Sequence, residues 1–197
     1  MNTRTPEASA FAGRLLLIAM MALAGFAPSL AAAERPGFVL AESDIRNDDS
    51  GVYLSARFQV RLSDEAEVAL ESGVPLGLDL QVRVIRPRWW WWDAELADLR
   101  MQRELRFHAL SRRYVVLNND TGERRTFFRR DAAIDAWAST VGERVIGGGQ
   151  LESGEQYELE LRARLNPDVL PHPLRTVALV SPEWRLASEW YTWPLDG

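Results

Sequence analysis

The chain has 197 residues, a formal net charge of −5, no cysteine, and arginine at every one of its 23 basic positions. The missing lysine excludes a P-loop and any Schiff-base mechanism, because both need an ammonium group. The missing cysteine excludes disulfides and thiolate sites, and the acidic balance argues against electrostatic binding of nucleic acid.

Taken in order, the first feature is a targeting segment at residues 1–33. Arg4 and Arg14 form a positive region, Leu15 to Ala27 form an apolar run, and Pro28-Ser29 break it. Ala31-Ala32-Ala33 then place small residues at a cleavage site before Glu34, the layout of a secretory signal peptide. The run falls short of the ~20 apolar residues that span a bilayer. The alternative is an uncleaved N-terminal anchor. Without adjacent arginines or a cysteine, neither twin-arginine export nor a lipid attachment is expected. Removing Arg4, Arg14 and Glu7 leaves a single domain, residues 34–197, with a net charge of about −6.

A strand is expected over Phe38 to Arg46, and Asn47 to Gly51 is dense in turn formers. Val52, Leu54, Ala56, Phe58, Val60 and Leu62 alternate with polar residues, which predicts a strand with one buried face. The two strands make a hairpin. Ser63 reads as an N-cap with acids behind it, opening a helix that Gly73 and Pro75 stop. Leu76, Leu78, Leu80, Val82 and Val84 form the next alternating strand, interrupted by Pro87 and the tryptophans that follow. Residues 93–110 are ambiguous: 93–98 have helical propensity, and a strand is expected from about 101 to 109. Tyr114 to Leu117, a turn at 118–122 and Arg124 to Phe128 read as a second hairpin. Asp131 is expected to cap a helix running to Val141. Gly147 to Gly149 read as a loop, and Gln156 to Leu165 alternate once more. A proline-rich connection then leads to Val177 to Val180, and Trp184 to Trp193 are expected to be extended. Together these describe a mainly β, antiparallel, immunoglobulin-like sandwich of about eight strands with two short helices.

Chemical motifs are scarce. His108 and His172 stand far apart and outside any metal-ligand spacing, so a strand face and a proline-flanked loop account for them. There is no Gly-x-Ser-x-Gly elbow. Asp48-Asp49 lack the glutamate that a calcium loop requires, and Asn119-Asp120-Thr121, although a glycosylation sequon, falls in an expected turn. Glu155, Glu158 and Glu160 lie on or beside one strand, and Glu158 and Glu160 share its polar face, where solvation explains them. No catalytic residue, metal or cofactor is expected, and the protein is read as a non-enzyme.

The aromatic content is the anomaly. Of eight tryptophans, Trp89, Trp90, Trp91 and Trp92 are consecutive, and on an extended segment alternate members face opposite sides. Either one pair fills the core while the other covers a neighbouring element, or the run forms an exposed ridge beside Arg86 and Arg88. Such a ridge suits a partner hot spot, the bilayer interface or a sugar ring.

Leu170 to Arg175, the run Ser181 to Trp190 with its Trp-Arg-Leu-x-Ser-x-Trp element, and Trp193-Pro194-Leu195 resemble domain-of-unknown-function family 4390, a family of bacterial exported proteins. Glu71 to Leu76 and Leu110 to Tyr114 are similar to it as well. The resemblance implies no assigned activity and no catalytic residue to carry over. It implies a link to envelope signalling, because members are often encoded near a membrane sensor kinase of the nitrogen-regulation type. The four-tryptophan run is longer than the family's aromatic cluster.

The expectation is a periplasmic protein that binds an envelope partner, such as that sensor kinase, through Arg86, Arg88 and Trp89 to Trp92. A carbohydrate-binding module and peripheral membrane contact through the same ridge are the alternatives.

Overall fold

Alternation builds the first layer. The structure, a computed structural model, describes residues 35–87 and 94–197; the expected signal peptide at 1–33, and Arg88 with Trp89 to Trp92, lie outside the described residues. Strands β1 (Gly37–Asp48) and β2 (Gly51–Arg61) form the expected hairpin, with Asp48 opposite Gly51 at its tip. The Asp48 carboxylate accepts the Ser50 N–H at 2.9 Å and the Ser50 hydroxyl as well. Gly51 sits at φ +138°, and a Cβ there would lie 2.2 Å from the Ile146 carbonyl oxygen, so only glycine fits this crossing.

Helix α1 (Asp64–Glu71) begins where capping chemistry places it: Ser63 Oγ accepts the Ala66 N–H at 3.3 Å, with Asp64, Glu65 and Glu67 in the first turn. Strand β3 (Leu76–Arg86) follows. It buries Leu76, Leu78, Leu80, Val82 and Val84 completely. At about 1.5–3 kcal/mol for each Val or Leu, this face supplies on the order of 10 kcal/mol before chain entropy is subtracted.

Strand β4 runs from Ala94 to His108, about seven residues earlier than expected from its sequence. Its first residues do have helical propensity, yet β3 needs a partner along its whole length, and the pairing extends from Arg86 opposite Ala94 to Leu76 opposite Leu105. Tertiary hydrogen bonding overrides weak local preference. Strands β5 (Arg113–Asn118) and β6 (Arg124–Phe127) are the expected hairpin.

Helix α2 (Arg130–Trp137) is shorter than expected at its C-terminal end, and its N-cap is Arg129 rather than Asp131, which sits in the first turn. Residues expected to finish that helix instead start β7 (Ser139–Gly147), which fills the second edge of β2. Strand β8 (Gln156–Asn166) matches expectation. The proline-rich connection holds two 3₁₀ turns and a third helix, α3 (Leu174–Val180). Of the extended stretch expected at 184–193, only the end from Tyr191 belongs to a strand, β9 (Tyr191–Asp196).

The described residues thus hold nine strands and three short helices, against about eight and two from the sequence. All pairings are antiparallel, in a three-stranded sheet ordered β1-β2-β7 and a six-stranded sheet ordered β6-β5-β4-β3-β8-β9. Their apolar faces meet in one core, in which Trp137 is fully buried with its ring 6.0 Å from that of Phe38. The fold is a β-sandwich.

Candidate partner-binding surface

Arg86 is the one expected contact residue among those described. It is the last residue of β3, and its Nη1 lies 3.2 Å from Glu152 Oε2 and 3.9 Å from Glu155 Oε2. Its charge is therefore already answered by the loop between β7 and β8. Other sequence features prove to be architectural. Asn118 Oδ1 accepts the N–H groups of Asp120 and Thr121, which makes the sequon a tight turn. Gly148 packs so close to the β1–β2 turn that a Cβ would lie 2.2 Å from the Asp49 oxygen, and this contact is why glycine stands there. Glu160 pairs with Arg83 at 2.6 Å, and the Arg83 guanidinium lies 4.1 Å from the Trp190 ring centre. His108 and His172 are both exposed, on β4 and beside α3.

Two buried polar centres were not legible in the sequence. Asp79, on the outer face of β3, is 1% exposed and is held by Arg164 Nη2 at 2.9 Å and Asn166 Nδ2 at 2.7 Å. Arg103 points from β4 into the core. Its Nη1 donates to the carbonyls of Trp137, at 3.4 Å, and Ser139, while Trp137 Nε1 donates back to the Arg103 carbonyl at 3.3 Å. Desolvation pushes the Arg103 guanidinium below its ordinary pKa. A cation against the last carbonyls of α2 answers groups that a helix leaves without partners. It also fixes where α2 ends and β7 begins.

That junction forms one wall of a surface cleft of about 770 Å³, bounded by β1, β2, β6, α2 and β7. Arg57 crosses it between Glu42, with which it is hydrogen-bonded, and Asp135, 3.7 Å away. The Glu42 hydrogen bond and charge raise the Arg57 pKa further above its ordinary value. Ala132, Ala136 and Phe127 supply apolar lining, and Val141 stands at the rim, 87% exposed. A mixed lining of this kind offers shape and polar contacts to a bound chain.

The cleft borders a sheet edge. β6 is the terminal strand of the larger sheet, and among the described residues no backbone group pairs with its outer side. Arg125 and Phe127 of this strand line the cleft.

No curated protein and no solved structure matches the chain. The family model described as a domain of unknown function, DUF4390, matches residues 35–194, nearly all of the sandwich just described, and the chain belongs to that family.

Proposed function

We propose that this is an exported protein of the cell envelope, delivered by residues 1–33, that binds a protein partner and catalyses no reaction. The observation that carries the reading is the cleft beside α2 together with the unpaired edge of β6 that borders it. A groove of mixed polarity next to free backbone donors and acceptors is a surface that a polypeptide can occupy. The membrane sensor kinase implied by the family resemblance is one protein such an exported domain would meet.

The test is site-specific photocrosslinking in cells. A photoreactive residue replacing Val141, at the cleft rim, should capture a discrete partner. The same residue replacing Ser153, on the loop after β7, should not. Identical adducts at both positions, or none at either, would sink the reading.

Peripheral membrane contact is the second reading, and α3 favours it: Val177, Leu179 and Val180 are exposed although apolar. No helix among the described residues is long and apolar enough to cross a membrane, so the contact would be superficial. Sedimentation with liposomes discriminates, since a partner-binding protein stays in the supernatant.

A further inference from the structure

The geometry points to β6 as a docking edge for an acidic, extended segment of the partner, added to the larger sheet as a seventh strand. This inference rests on the partner-binding reading and names the chemistry of the partner.

Charge is the first argument. The stretch Glu123-Arg124-Arg125-Thr126-Phe127-Phe128-Arg129-Arg130 is a basic island in an acidic chain. Arg130 is taken up by Glu67 at 2.9 Å, and Arg129 by its neighbour Asp131 at 3.6 Å. Arg112, Arg113, Arg124 and Arg125 take part in none of the ion pairs among the described residues, as is also true of Arg35, Arg100 and Arg144 elsewhere, but only these four gather around one sheet edge. Arg113 lies 3.9 Å from the Phe128 ring centre and Arg125 lies 5.3 Å from that of Phe127. Stacking orders these guanidiniums and leaves their N–H forks free for carboxylates.

Comparison with the other edges is the second. β1 carries a register shift between Leu40 and Glu42 and a row of exposed charges. In β7, Gly142 at φ +63° spends its N–H on Ser55 Oγ. β9 contains Pro194, which has no N–H. These are the usual devices that blunt a sheet edge. The β6 pairing has no register shift and no proline, and Thr126-Phe127 suit a pleated surface. What guards this four-residue edge is its exposed Arg124 and Arg125, which act against any incoming strand that is not acidic. Edge arginines also repel a second copy of the same edge, so the strand they admit is an acidic one. Because side chains alternate, an incoming strand would meet Arg125 and Phe127 on the cleft side and Arg124 on the other.

The test uses the exported chain and a fluorescein-labelled probe of four Glu-Val repeats, read by anisotropy and by amide hydrogen exchange. Binding should protect the amides of residues 124–127. An exposed charge pair is worth a factor of about two to five, so Arg124→Gln with Arg125→Gln should weaken binding roughly tenfold and lower its salt dependence. A probe of Lys-Val repeats, and a Glu-Val probe with proline at alternate valines, should not bind. Equal binding of the proline probe or of heparin would assign the arginines to polyanions and overturn strand addition, as would no binding of the Glu-Val probe at millimolar concentration. If Val141 captures a partner in cells while Thr126 captures none and the probe fails, this inference falls and the partner-binding reading stands. Silence at both positions removes both.

Discussion

Arg103 offers the sharpest test of how the cleft is held. The side chain is 8% exposed, on the inner face of β4, and it answers the Trp137 and Ser139 carbonyls. A hydrogen bond to a charged group contributes about 1.5–3 kcal/mol, and a buried carbonyl left alone costs about 1–3 kcal/mol. Against this stands desolvation, which lowers the folded pKa. A base with a lowered folded pKa destabilises at every pH below that value and is relieved only as pH rises through it. Substitution reads whether the carbonyl bonds outweigh that cost. Arg103→Ala removes the donor and leaves a cavity, so it should destabilise by about 2–4 kcal/mol. Arg103→Met fills the space without a donor and should cost about 1–2 kcal/mol. Urea unfolding measures both, with little change in slope. Hydrogen exchange at Ser139 to Val141 should accelerate in both variants. The reasoning is refuted if Arg103→Met is as stable as the parent and exchange at that junction is unchanged. Desolvation would then match or exceed the bonds, and α2 would be placed by packing alone.

Other outcomes follow from the same core. Trp137→Ala, at a fully buried site, should lose about 3–5 kcal/mol in urea unfolding. Asp79→Ala should lose about 2–4 kcal/mol, because Asn166, itself 6% exposed, keeps an amide with no acceptor; Arg164→Ala should cost less, since Arg164 reaches the surface. The Asp48 carboxyl is held below its ordinary value by the Ser50 hydroxyl and N–H, and by Arg46. Its contribution to stability is thus present above the unfolded carboxylate pKa and lost as pH falls through the lower folded one. Ser50→Ala should move that titration upward, which carbon-13 detection of the Asp48 side chain would follow.

Much of the sandwich is legible wherever one face of a strand is buried and the other wet, as in β2, β3 and β8, since period-2 alternation records that asymmetry directly. Turn chemistry at 47–51 and 118–122 and the Ser63 cap are equally local, and they place the hairpins and α1. Failures occur where a neighbour decides. Residues 94–98 would suit a helix in isolation, and the demand of β3 for a partner makes them a strand. Residues 139–147 carry two adjacent charges, Glu143 and Arg144, and a glycine at φ +63°, which hides the β-branched positions of β7. The role of the buried arginine was illegible for the same reason: Arg103 falls in phase with Met101, Leu105 and Phe107 on the inward face of β4, and only the arrival of α2 beneath it reveals what it serves. The basic stretch at 124–130 reads in the sequence only as a return strand, because its meaning depends on β6 being an edge.

That dependence has a geometric origin. A three-stranded sheet cannot cover a six-stranded one, and the smaller sheet reaches β3, β4 and β8 through β1 and β7. The uncovered inner face toward β5 and β6 is closed by α2, which packs on β4, β5 and β6 and also touches β2 and β7. A helix substituting for strands fills volume but supplies no backbone ladder, so the cleft opens along its flank and β6 is left as the last strand, its outer side unpaired among the described residues. The mismatch in sheet width therefore produces both features on which the partner-binding reading stands. Anything that lengthened the small sheet past β7 would fill the cleft, whereas loss of the Arg103 clamp would loosen the helix that keeps it open.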